Sequence, residues 1–277
     1  MSLTVLLALL LVGLAVGFAS GLVGIGGGVL TVPFLYFFYA HPAWSHALLR
    51  PELHTTVAHA TSLFVIIPTA FLGTRSYAKA GLIVWRAAVP IAVVSVFFAI
   101  AGARAALILP GPALRVGFGL FLLATAAQLI RQRKAEEDKP LRVTAPIVVV
   151  TGALVGFLSG LMGIGGGAVA SPLLINVIGV RLKQAAATSL AIVALASLAG
   201  TATYALSGLH ISGMPAGSLG YVHIGAAIPI LVGSMISVRW GTLVNQRLHT
   251  NTLRRVFATF FFVLGVYLIV ANISAFK

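Results

Sequence analysis

The chain contains no cysteine, which removes disulfides, thiolate zinc sites, iron–sulfur clusters and cysteine nucleophiles together. Acidic residues are nearly absent too, at 4 Asp and Glu in 277 residues. Glu136, Glu137 and Asp138 sit in one charged stretch, which leaves Glu52 alone. No carboxylate pair remains for metal binding or acid–base catalysis, and no membrane carboxylate for the site of a cation transporter. There is no GKS or GKT phosphate loop, so nucleotide-driven work would need another chain. GIGGG, at 24–28 and again at 163–167, lacks the last glycine of a dinucleotide fingerprint and follows no strand. These absences argue against an enzyme and lead us to expect neither a cofactor nor a metal site.

Charge of any kind is scarce. Charged residues make up 8% and hydrophobic ones 60%, with a mean hydropathy of +1.09, whereas a soluble domain carries about 25% charged residues. The chain therefore belongs in a lipid bilayer. Its apolar runs are long and continuous, without the alternation of a barrel strand, so helices are the expected spanning form. The 18 Lys and Arg give a net charge of +14, yet they lie between apolar segments and form no basic arm. They read as orientation signals, and no nucleic-acid partner is expected. Residues 1–20 have the look of a secretory signal, but they carry no basic residue at their start and nearly the same sequence recurs in mid-chain. Retention is the expectation.

What is present is a duplication. Residues 16–35, VGFASGLVGIGGGVLTVPFL, match 155–174, VGFLSGLMGIGGGAVASPLL, at 13 of 20 positions, an offset of 139. Ala60–Leu63 and Ala187–Leu190 share ATSL at an offset of 127, followed by Gly73-Thr74 with Gly200-Thr201 and Tyr77 with Tyr204. The offset then returns to 139 for Pro90 with Pro229, Ser95 with Ser234 and Gly102 with Gly241. Two compensating insertions account for the change: a His-rich loop near 40–54 and a Gly/Ser-rich loop near 208–220.

Each half reads as an apolar segment, the glycine interruption, a short apolar segment, then three helices of membrane-spanning length. The predicted segments are 3–22, 29–39, 55–75, 84–104 and 112–131, then 143–161, 168–180, 184–207, 221–240 and 251–273. The short ones cannot cross a hydrocarbon core of ~30 Å at ~1.5 Å per residue and are half-helices.

Basic residues decide the topology. If each glycine-broken pair crosses once, the Lys and Arg divide evenly between the two sides. If each pair enters and returns, Arg75, Lys79, Arg86, the linker residues, Arg181, Lys183, Arg239, Arg247, Arg254 and Arg255 share one side, leaving Arg50, Arg104, Arg115 and Lys277 on the other. That bias is what a cytoplasmic linker produces. The expected fold is an all-α integral membrane protein of two inverted repeats, each a Gly-broken helix pair plus three transmembrane helices. The first repeat covers 1–130, a charged cytoplasmic linker 131–142, and the second repeat 143–277, with both termini outside the cytoplasmic (inner) membrane. Inverted repeats with broken helices point to a secondary transporter whose site lies near the midplane.

The paired GLxGIGGGxxxxPxL stretches, each followed by ATSL, resemble the sulfite exporter TauE/SafE family of membrane permeases across both halves. The signature maps to Gly24, Gly26, Gly27, Gly28 and Pro33, and to Gly163, Gly165, Gly166, Gly167 and Pro172. The resemblance implies transport of small sulfur-containing anions such as sulfite, sulfoacetate, other organosulfonates or thiosulfate. It does not choose among them, nor does it give direction, coupling ion or oligomeric state, so homo-oligomerisation stays open. Another small anion such as a carboxylate, or a non-transporting scaffold, remains as an alternative.

Three successive glycines cost roughly 1 kcal/mol each against Ala in a helix. Where the half-helices restart, at Gly26, Gly27, Gly28 and Val29 and at Gly165, Gly166, Gly167 and Ala168, amides lack intrahelical acceptors and the positive dipole end faces the break. Such a place receives an anion without a charged side chain. We expect glycine there to let oxyanions approach the amides, whereas a side chain at Gly119, in an ordinary helix, is expected to have a smaller effect on transport. Small-residue helix packing is the competing explanation. Pro33 and Pro172 are expected early in each half-helix. Thr61, Ser62, Thr188 and Ser189 offer hydroxyls nearby, although membrane Ser and Thr often bond back to their own helix.

His59 replaces Ala186 of the other half and is a candidate for proton coupling or for an interfacial position. His41, His46, His54 and His59 have no compact ligand spacing and read as an interfacial loop rather than a metal cluster. Tyr77, Tyr204, Trp44, Trp85 and Trp240 are expected as interfacial anchors.

Overall fold

The computed structural model describes residues 3–23, 26–41, 49–131, 140–215, 217–247 and 251–273. Gly24, Trp44, His46, Lys277 and most of the 131–142 linker lie outside the described residues. Nearly everything described is helical. The first half contains α1 (Leu3–Val23), α2 (Gly28–Ala40), α3 (His54–Lys79), α4 (Trp85–Ile108) and α5 (Gly111–Arg131). The second contains α6 (Ala145–Met162), α7 (Gly167–Leu173), α8 (Leu182–Ser207), α9 (Ile224–Arg247) and α10 (Asn251–Ile273). A π-helical turn, Leu174–Ile178, prolongs α7, and a small hairpin of β1 (Ser218–Leu219) and β2 (Val222–His223) occupies the Gly/Ser-rich insertion. Among the described residues seven helices are long and apolar enough to span a membrane, while α2 and the Gly167–Ile178 stretch are too short.

The boundaries follow local chemistry. α6 has Pro146 in its first turn, where a missing amide is harmless, and stops at Gly163, whose φ of 70° lets its amide close on the Ser159 carbonyl at 2.9 Å. Pro33 and Pro172 sit inside α2 and α7, at the sixth helical position in each, beyond the first turn where they were expected. Each removes an amide from the helix interior, so the carbonyls of Val29 and Ala168 lose their i+4 partners.

Helix pairing is the same in the two halves after exchange. α1 packs chiefly on α9 and α6 on α4, while α3 meets α8 and α5 meets α10. Small residues make the contacts. A Cβ added to Gly17 would lie 2.2 Å from the Ser234 carbonyl oxygen, and one on the matching Gly156 would lie 2.2 Å from that of Ser95. Backbone therefore touches backbone along Gly13, Gly17 and Gly21 and along Gly152, Gly156 and Gly160, the close approach that apolar solvent cannot otherwise drive.

Order along the seams gives direction. Gly13, Gly17 and Gly21 meet Ile230, Ser234 and Val238 in ascending order, so α1 and α9 are parallel. Gly152, Gly156 and Gly160 meet Ile91 (or Val94), Ser95 and Ala99, so α6 and α4 are parallel. α3 runs along α9 in the same sense, with Thr69 on Ser234 at 2.7 Å and Ser76 on Thr242 at 2.9 Å. α3 and α8 are antiparallel, since Gly73 meets Leu190 and Gly200 meets Leu63.

α3 and α8 form the buried centre and the other helices surround them. The periphery presents Phe71, Phe97, Val150, Leu198, Ile228, Ile236, Phe262 and Val270, all exposed. Such a surface is stable only against lipid, and this is a multi-pass membrane protein.

Candidate functional site

Both glycine breaks are left-handed. Gly26 and Gly27 have φ of 81° and 75°, and Gly165 and Gly166 have 74° and 80°, a conformation that only glycine adopts freely. The Gly27 carbonyl starts α2 by accepting the amides of Leu30 and Thr31, and the Thr31 hydroxyl also donates to it. The Gly166 carbonyl does the same for Val169 and Ala170. Amides of Gly28 and Val29, and of Gly167 and Ala168, precede these first helical hydrogen bonds and carry the positive ends of the half-helices.

Tertiary packing brings the two breaks together. A Cβ on Gly28 would stand 2.5 Å from the Cα of Ile164, inside the other break. Added Cβ atoms on Gly26 and on Gly165 would both lie 3.0 Å from Cγ1 of Val193, and the latter 3.1 Å from Cγ2 of Ile66. Val193 and Ile66 occupy the middles of α8 and α3, so the breaks adjoin halfway along the central helices.

Three serine hydroxyls around this junction, those of Ser20, Ser159 and Ser197, are buried without a hydrogen-bond partner among the described residues, and that of Ser62 in α3 is likewise unpaired. A Cβ on Gly27 would be 3.5 Å from Ser20 Cβ, and one on Gly166 would be 3.3 Å from Ser159 Cβ. Ser197 Oγ lies 3.0 Å from the Cβ position of Gly165. Leaving hydroxyls unpaired in an apolar interior is costly unless something occupies them. Ser20 and Ser159 stand at equal positions of the duplicated stretch, and that identity was the sequence signal that our reading of the glycines passed over.

The other sequence candidates divide. Ser62 is buried in α3 with its hydroxyl unpaired among the described residues, but Thr61 accepts the backbone amide of His223 at 3.0 Å and Thr188 that of Val84 at 3.1 Å. Each threonine thus caps the entry to a helix of the opposite half. Ser189 donates to the Ala186 carbonyl and accepts from Ser171. His59 is fully buried, with Nε2 hydrogen-bonded to the Tyr36 hydroxyl and Nδ1 unpaired among the described residues. His54 bonds instead to the Leu49 carbonyl at 3.1 Å.

Three expectations change. At Gly27 an added Cβ would meet Val16 Cγ1 at 2.7 Å, and at Gly166 the Val155 carbonyl oxygen at 2.7 Å. Those glycines therefore admit the preceding helix and the left-handed turn rather than guard an opening. Gly119, expected to matter less, is itself closely packed, since its Cβ would lie 2.8 Å from the Gly265 carbonyl oxygen of α10. Tyr77 and Tyr204 are not interfacial anchors, since both are wholly buried and bond to backbone. Trp85 and Trp240 are exposed on the periphery, where an anchor stands.

The profile of a family described as Sulfite exporter TauE/SafE matches residues 9–268. The chain is 30% identical to a probable membrane transporter protein of Haemophilus influenzae, over 95% of this chain and 97% of that protein. It is 28% identical to one of Methanocaldococcus jannaschii, over 94% of each, and 26% identical to one of Bacillus subtilis, over 96% and 97%. No solved structure matches it.

Proposed function

Because the chain belongs to the sulfite exporter TauE/SafE family of membrane transporters, we propose that it carries small sulfur-containing anions across the cytoplasmic membrane by alternating access. Sulfite, sulfoacetate or another organosulfonate, and thiosulfate are the candidate substrates. The observation that carries this reading is the meeting of two glycine breaks beside the hydroxyls of Ser20, Ser159 and Ser197, which have no partner among the described residues. Half-helix amides and serine hydroxyls are all donors, and an oxyanion with several acceptor oxygens takes up donors converging from opposite directions. A divalent cation would find no carboxylate there.

We further infer that the halves are inverted repeats. α1 and α3 both run parallel to α9, so α2 must bring the chain back between them. The antiparallel crossing of α3 and α8 then sets α6 opposite to α1, through α8, α4 and their shared direction. Charge bias adds the orientation, with the linker in the cytoplasm and both termini outside. Rocking one half against the other would expose the central donors alternately to either side. His59, buried among these elements with Nδ1 unpaired among the described residues, is the candidate for proton coupling.

Purified protein in proteoliposomes tests the reading. Labelled sulfite, sulfoacetate and thiosulfate are expected to be taken up, with weak competition from acetate and formate. Preferential uptake of the carboxylates would assign the other anion class, and uptake of neither would remove the anion reading.

A further inference from the structure

The two halves are alike in packing but differ in one polar cluster. In the first half Arg115, the fifth residue of α5, donates from Nε to the Thr55 hydroxyl at 2.9 Å, and its guanidinium carbon lies 5.2 Å from the ring centroid of Tyr36. The Tyr36 hydroxyl in turn bonds to His59. Corresponding positions of the second half carry Ile175 for Tyr36, Leu182 for Thr55 and Ala186 for His59, and only the arginine recurs, as Arg254.

No carboxylate pairs with Arg115 among the described residues, and its two terminal nitrogens have no hydrogen-bond partner there. A partly buried guanidinium with no carboxylate partner among the described residues keeps a pair of terminal donors spaced for two oxygens of one anion. The imidazole of this cluster, His59, has Nδ1 without a hydrogen-bond partner among the described residues, with the backbone of Leu161 close to the ring.

We propose that Arg115, Tyr36, Thr55 and His59 form a second anion subsite, at the end of the molecule where α3 and α5 begin and α2 ends, which holds a small oxyanion together with a proton on His59. This rests on reading the chain as an anion transporter, and it makes the two mouths chemically different. The groups that face His59 are Tyr36 from α2 and Arg115 from α5, while the Gly163 break packs on it with backbone alone. Toward the same end lie His54 and Glu52, and beside Tyr39 lies His223. A proton on His59 and the charge on Arg115 repel each other until an anion settles between or beside them. Each ligand therefore favours the other, by the reciprocity of linked binding.

The test is calorimetric titration of the full-length protein in nanodiscs with thiosulfate, which does not itself titrate near neutral pH, in buffers of different ionisation enthalpy so that proton uptake is counted. Binding by the unaltered protein is expected to take up protons. Arg115→Gln is expected to weaken binding at least about tenfold and to abolish the uptake, as loss of a charge-assisted hydrogen-bond pair does. His59→Ala is expected to lose the uptake and, by the same linkage, to weaken anion binding, though less than Arg115→Gln does. Thermal melting checks that the variants are folded. Should Arg115→Gln fail to fold, Arg115→Lys, which keeps the charge but not the fork, is expected to bind several-fold more weakly. Unchanged affinity and proton count in the folded arginine variant overturn the subsite while leaving the central anion site standing. Absence of any thiosulfate binding by the unaltered protein overturns both.

Discussion

The phenol of Tyr77 donates to the backbone carbonyl of Gly21 across 2.7 Å, with both residues buried. Its counterpart, Tyr204, donates to Gly160 across 2.8 Å. Gly21 and Gly160 lie in the last turns of α1 and α6, where carbonyls have run out of helical amides. Each tyrosine thus satisfies the helix end that the glycine break creates, and does so from the adjacent central helix.

Replacing Tyr77 or Tyr204 by Phe strands one buried carbonyl. Each change is expected to cost about 1–3 kcal/mol, read as a lower melting temperature in detergent, with the double variant lower still. An unchanged melting temperature in both single variants would show that the breaks are not braced in this way.

Ser20→Ala and Ser159→Ala separate binding from packing. If these hydroxyls meet an anion, each loss is expected to weaken substrate about tenfold, the order for a hydrogen bond to a charged acceptor. Melting of the ligand-free variants should hold or rise, because an unpaired buried hydroxyl has been removed. Full substrate affinity in both variants would take the serines out of the site.

The glycines along the seams and at the breaks should fail differently. Gly17→Val and Gly156→Val place a side chain on carbonyls already in contact and are expected to abolish folded protein. Gly27→Ala and Gly166→Ala force a left-handed conformation on a residue with a Cβ, at a cost of about 1–2 kcal/mol, so stability and transport should fall together. Gly119→Val is expected to lower stability as well, through Gly265; the yield of folded protein reads the two seam variants, and thermal melts rank the other three.

The cysteine-free chain suits labelling of topology. Single cysteines at Glu137 and Lys277 are expected to react from opposite sides of intact cells. Reaction from one and the same side would exclude inverted halves.

His223, just before α9, gives a pH dependence. Burial pushes its imidazole down to about 4, and Nδ1 lies 3.1 Å from the Tyr39 hydroxyl. The unfolded chain, with an ordinary value of about 6.5, binds the proton more readily. This contribution to stability is therefore complete above about pH 6.5 and lost as pH falls toward about 4. Melting scans across that window should show the loss, and His223→Gln should flatten it.

Composition alone placed this chain in a bilayer, because a surface with so few charges is not soluble. Self-comparison found the duplication, and the runs between basic clusters located the helices to within four residues, save that α9 runs seven residues past its expected end, since span length is set by bilayer thickness. The glycine breaks were legible for the same reason, as GGG is costly in any uninterrupted helix. What stayed hidden was partnership. Nothing along the chain said that α1 lies against α9 rather than its sequence neighbours, that Thr61 and Thr188 cap helices of the opposite half, or that Tyr77 reaches a carbonyl instead of the interface. In an apolar chain every helix face has similar hydropathy, so periodicity carries little information about which face meets which. Steric fit of glycine seams and the pairing of the few polar groups decide that, and both are settled only between segments far apart in sequence. The unpartnered serines and the Arg115–Tyr36–His59 cluster belong to that second class, because a polar group is recognisable as unsatisfied only once its surroundings have closed around it.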